Sequence, residues 1–79
     1  MDYCNQWFHV GEKLGRLFTL WRSSQHRLGL DQNKINEIET QFKELRRKVM
    51  NNQVPKDHLN VFANQVVNLE TTVMSLFPS

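Results

Sequence analysis

The segment from Asp2 to Leu28 carries its apolar residues along two lines, and a helix with two apolar lines must have two neighbours. Trp7, Leu14, Trp21 and Leu28 recur at every seventh position, with Tyr3, Val10 and Leu17 between them. That alternating three- and four-residue spacing belongs to a helix packed lengthwise on another helix. Cys4, Phe8, Gly11, Gly15 and Phe18 form the second line, roughly a quarter-turn around the same cylinder at about 100° per residue. The rest of the surface is polar except for Leu20.

Two glycines inside such a helix need a reason, because each costs about 1 kcal/mol relative to alanine. One reading is that Gly11 or Gly15 kinks or ends the helix. The other is that Gly-Glu-Lys-Leu-Gly is a small-xxx-small face that lets another backbone approach, with Phe8 and Phe18 closing above and below. Glu12, Lys13 and Arg16 exclude a membrane-spanning version of that motif.

Asp2 is the expected N-cap of this first helix, about residues 2–28, and Arg22, His26 and Arg27 place cations where the helix dipole favours them. Gly29 is the expected left-handed stop. Asp31 then reads as the next N-cap, with Leu30 and Ile35 as a hydrophobic staple. The second helix, about 32–51, has one narrow seam of Ile35, Ile38, Phe42, Leu45 and Val49, and the spacings Glu39 to Lys43 and Glu44 to Lys48 suit ion pairs. Val54-Pro55 suits the start of a third helix, about 55–77. Its seam is Leu59, Phe62, Val66, Leu69 and Val73, and a second line runs through Ala63, Val67, Met74 and Phe77. From Leu59 to Ser79 the one charged side chain is Glu70, so this helix presents amides and hydroxyls where lysines and glutamates are usual. Depletion of charge marks the centre of protein interfaces.

These patterns predict a single domain over residues 1–79: an all-α, three-helix, up-down-up antiparallel bundle in which the first and third helices run parallel and each keeps a spare seam. The spare seams either face each other as core or serve as a docking surface, for another protein or for a second copy in a dimer. A chain of 79 residues sits near the lower limit for a self-sufficient core, and such a core rarely leaves more than about 3–5 kcal/mol of net stability. Spare apolar surface in so small a protein is therefore a means of gaining stability from a partner.

Little in the sequence supports chemistry. Cys4 and His9 diverge around the helix and His26 and His58 stand apart, so neither a metal site nor a nucleophile with its base is expected. No glycine-rich loop follows a strand, and the expectation is a non-enzyme without cofactor or small-molecule substrate. One cysteine cannot form an internal disulfide and no long apolar run is present, which fits a cytoplasmic protein without membrane attachment. No motif ties the chain to a family.

The expected function is protein binding, as an adaptor, chaperone or regulator, through Phe8, Gly11, Gly15, Phe18, Leu20, Glu70, Met74 and Phe77. Glu70 would meet a cation on the partner or be held by Arg16 or Arg22. The alternative is a nucleic-acid-associated factor contacting phosphates with Arg46, Arg47, Lys48 and Lys56 around the second turn. A net charge of +2 gives that reading only mild support, and Arg22 and Arg27 are expected at the opposite end of the bundle, leaving no continuous basic stripe.

Overall fold

Asp31 begins the second helix as its chemistry requires: in extended backbone, its Oδ1 accepts from the Lys34 amide at 2.8 Å and satisfies one of the orphan donors of the first turn. Just before it, Gly29 takes φ +67°, the left-handed conformation that stops the preceding helical segment. In the computed structural model, residues 3–51 and 56–78 are described, without the side chains of Tyr3, Cys4 and Lys56. The Asp2 cap and the role given to Val54-Pro55 lie outside the described residues.

Three α-helices follow in order, α1 (Tyr3–Ser24), α2 (Gln32–Met50) and α3 (Leu59–Met74). Short 3-10 turns at Gln25–Arg27 and Lys56–His58 follow α1 and precede α3. The helical segment expected to reach residue 28 thus leaves α geometry at Ser24 and tightens into a 3-10 turn. The α conformation of the third helix starts at Leu59 and ends at Met74, with Leu76 and Phe77 donating to the carbonyls of Val73 and Met74 in a closing turn.

The helices form the expected up-down-up bundle. Trp7 meets Phe62 at a ring separation of 5.6 Å and, further along both helices, Lys13 meets Glu70, so α1 and α3 run parallel. α2 runs the other way, with Phe18 and Trp21 of α1 against Phe42 and Gly11 opposite Val49. Among the described residues there are no strands, and no helix is long and apolar enough to cross a membrane.

The core takes one seam from each helix: Leu14, Leu17 and Trp21 from α1, Ile38, Phe42 and Leu45 from α2, and Phe62, Val66, Leu69 and Val73 from α3. Burial of a side chain of this kind favours folding by about 1.5–3 kcal/mol, much of it offset by lost chain entropy. Trp21 and Phe42 are wholly enclosed and stack at 6.4 Å, with Phe18 edge-on to Phe42 at 5.3 Å. Two buried polar atoms beside this cluster, Trp21 Nε1 and Gln25 Oε1, have no hydrogen-bond partner, a cost of about 1–3 kcal/mol for each group left so.

The spare seams do not face each other. The second line of α1 lies on its α2 flank, where Gly11 faces Val49 and Phe18 rests on Phe42. On the α3 side, Met74 of that helix's second line shares one cleft with Leu17 and Leu20 of α1. Each flank of α1 therefore carries its own partly covered apolar strip.

Candidate partner-binding surfaces

On the α2 flank of α1 lies an open groove of about 500 Å³ lined by Phe18 and Arg22 of α1 and by Glu39, Lys43, Arg46, Arg47 and Met50 of α2, ending at Asn51. Its α2 wall runs from Glu39 to Met50, about 16 Å at ~1.5 Å per residue. These residues share a wall because positions 39, 43, 46 and 50 recur at three- and four-residue intervals, one stripe of a helix. Nearer the start of α1 is a separate hollow lined by Trp7, Phe8, Gly11, Glu12 and Val49. Gly15 lies between the two on the same side of α1, exposed, and a Cβ built on it meets no atom within 4 Å. Phe8 at 64% and Met50 at 76% relative exposure are two of the least covered large apolar side chains.

Charge in this groove is of one dominant sign. The Arg46 guanidinium carbon sits 4.2 Å from the Phe18 ring centroid and that of Arg22 at 5.7 Å, so cations from two helices meet at one ring. Such contacts contribute about 0.5–1 kcal/mol at exposed sites, and they let each arginine lay its stem on apolar surface with its head in water. Among the described residues, Arg22, Lys43, Arg46 and Arg47 make no ion pair. The expected Glu39–Lys43 and Glu44–Lys48 pairs are not formed, which leaves Lys43 as free as the arginines.

The α3 flank of α1 is different. A cleft of about 370 Å³ has Leu17, Leu20 and Met74 as its apolar lining, with His9, Glu12, Lys13, Arg16 and Glu70 around it. Its charges are compensated internally: Lys13 Nζ lies 3.2 Å from Glu70 Oε1, and Arg16 Nη2 2.6 Å from Glu12 Oε1. Glu70 is thus held by Lys13, not by Arg16 or Arg22. The two parallel helices bring Lys13 level with Glu70, while Arg16 turns to its own helix neighbour and Arg22 lies on the other flank. Pairs as exposed as these contribute about 0–1 kcal/mol each.

No protein-family model, no curated protein and no solved structure matches this chain.

The residues singled out from the sequence therefore divide into two surfaces. Phe8, Gly11, Gly15 and Phe18 belong to the α1/α2 side, and Leu20, Glu70 and Met74 to the α1/α3 side. Phe77 packs against the core, half-buried. The amide-rich side of α3 is open to water at Asn60, Asn64, Asn68 and Thr71, and the Thr72 and Ser75 hydroxyls donate to carbonyls of their own helix.

The basic cluster also divides. Arg46 and Arg47 enter the α1/α2 groove, whereas Lys48 lies on the α2/α3 side with Gln41, Glu44, Gln65 and Asn68. Lys56 has its side chain outside the described residues. Arg22 was expected far from this cluster and instead joins Arg46 over Phe18. Antiparallel packing puts the end of α1 beside the middle of α2, and two long side chains bridge the remaining gap. Lys43 is the groove cation that the sequence reading missed; its place one turn before Arg47 on the same wall was the available signal. Among the described residues no three His, Cys, Asp or Glu side chains are grouped to hold a metal ion.

Proposed function

We propose that this chain is a small interaction module that binds another protein through apolar side chains its own bundle leaves uncovered, working as an adaptor, chaperone or regulator in the cytoplasm. The observation that carries this reading is the exposure of Phe8, Met50 and Met74 along the two grooves of α1, in a molecule whose three core seams are already closed on one another. Single exposed apolar residues are ordinary; apolar residues lining a concave strip beside polar rims are the arrangement of interaction sites. A small helical bundle offering a helix-sized groove suits capture of a partner helix.

The test is site-specific photo-crosslinking in the native host, with a photoreactive phenylalanine analogue placed singly at Phe8, Met50 and Met74 and, as a control, at exposed Asn33. The reading expects discrete protein adducts at the groove positions and none at Asn33. Equal labelling everywhere, or none at any groove position, refutes it. Sedimentation of the purified chain separates a second copy from a different protein as the occupant.

A nucleic-acid reading draws on one observation, that Arg46 and Arg47 make no ion pair among the described residues. It expects binding of oligonucleotides with a steep loss of affinity as salt rises, by about one power of salt concentration per phosphate contacted.

A further inference from the structure

The α1/α2 groove combines an apolar floor with a surplus of positive charge, and together these specify an occupant. Arg22, Lys43, Arg46 and Arg47 line it with no ion pair among the described residues, against the single carboxylate of Glu39, while the cleft on the other side of α1 neutralises its own charges. Phe18 and Met50 supply apolar surface between those cations. Gly15 lies exposed on the same face of α1 as Phe18 and Arg22, and a Cβ built there meets no atom within 4 Å.

We propose that this groove binds an acidic amphipathic helix of another protein, which sets a bulky apolar side chain against Phe18 and Met50 and directs carboxylates on its flanks to Arg22 on the α1 side and to Lys43, Arg46 and Arg47 on the α2 side. The proposal rests on the protein-binding reading above and narrows it to one surface and one partner chemistry. A helix is the occupant that fits a groove about three helical turns long, because its anchors recur at three- and four-residue spacing. Acidic flanks follow from electrostatic complementarity, which suppresses basic partners and speeds encounter with acidic ones. A nucleic acid satisfies the cations but leaves the apolar floor idle, and four cations around one groove fall short of the stripe that backbone binding uses.

The experiment is fluorescence anisotropy with the full chain and three labelled probes. The first is a stapled helical peptide of about 15 residues with leucines along one face and glutamates on both flanks; the second replaces the glutamates by lysines; the third is a single-stranded oligonucleotide of matching charge. The acidic peptide should bind at least about tenfold more tightly than the lysine peptide and than the oligonucleotide, a difference of about 1.4 kcal/mol. Met50→Glu, which puts a like charge on the exposed apolar lining, and the double substitution Arg46→Glu, Arg47→Glu, which reverses two rim charges, should each weaken acidic-peptide binding by at least about tenfold. Far-UV circular dichroism and thermal melting of both variants establish that the bundle is intact. If one does not fold, the other carries the test. No binding of the acidic peptide, equal binding of the lysine peptide, tighter binding of the oligonucleotide, or full affinity in a folded variant overturns the proposal. Crosslinks at Met74 combined with any of those results leave the protein-binding reading standing and eliminate this groove as its site; absence of crosslinks at every groove position removes both.

Discussion

Gly15→Ala isolates the relation between the glycines and the fold. Gly15 lies in the interior of α1, its φ is not left-handed, and an added Cβ meets nothing within 4 Å. The substitution therefore adds no clash and removes the backbone entropy and poor propensity of glycine, a gain of about 0.5–1 kcal/mol. For a domain of this size 1 kcal/mol moves the midpoint by about 4–8 °C, so the variant should melt about 2–8 °C higher. Gly29→Ala supplies the opposite sign, since φ +67° strains any Cβ-bearing residue and should cost about 1 kcal/mol or more. Thermal and urea unfolding followed by far-UV circular dichroism measure both. A lower midpoint for Gly15→Ala would mean that a neighbouring group lies within reach of the added Cβ, and would refute the placement of Gly15 in open space.

Phe42→Ala, at a fully enclosed position touching Phe18 and Trp21, should cost about 3–5 kcal/mol and leave little or no folded protein at ambient temperature by circular dichroism. Asp31→Ala removes the cap on the Lys34 amide and should lower stability by about 1 kcal/mol in urea titration, with Asp31→Asn retaining most of it. Gln25→Met replaces an unpaired buried acceptor with apolar volume of similar shape and should leave stability unchanged or raise it by up to about 1–2 kcal/mol; a clear loss would indicate that the amide is paired in solution.

The architecture was legible because each helix announces its core face by spacing. The seam of α2 is unambiguous, since its apolar stripe is narrow and its flanks are charged, and the caps at Gly29 and Asp31 fix its start through backbone chemistry that sequence displays directly. The ends of α1 and α3 were less legible. Ser24-Gln25 keeps helical composition while the backbone tightens into a 3-10 turn, and periodicity does not separate the two geometries over so few residues.

The candidate surfaces were legible only as parts. Periodicity identified Phe8, Gly11, Gly15 and Phe18 as a second line on α1, but which helix lies beside that line depends on the rotation of α1 in the bundle, a tertiary property. The same rotation puts Leu20 and Met74 on the opposite flank and brings Lys13 to Glu70. Arg22 was misplaced for a related reason. Distance along the bundle axis was read from helix ends, whereas long arginine side chains from neighbouring antiparallel helices converge on one ring.

Whether the α1/α2 groove docks an acidic amphipathic helix is read most directly from an amide chemical-shift map of the isotopically labelled chain during titration with the stapled acidic peptide. The account predicts saturable shifts concentrated on the groove side of α1 from Gly11 to Arg22 and on α2 from Glu39 to Met50, with the exposed side of α3 from Asn60 to Thr71 unmoved. Shifts concentrated on α3, or none at saturating peptide, would contradict it.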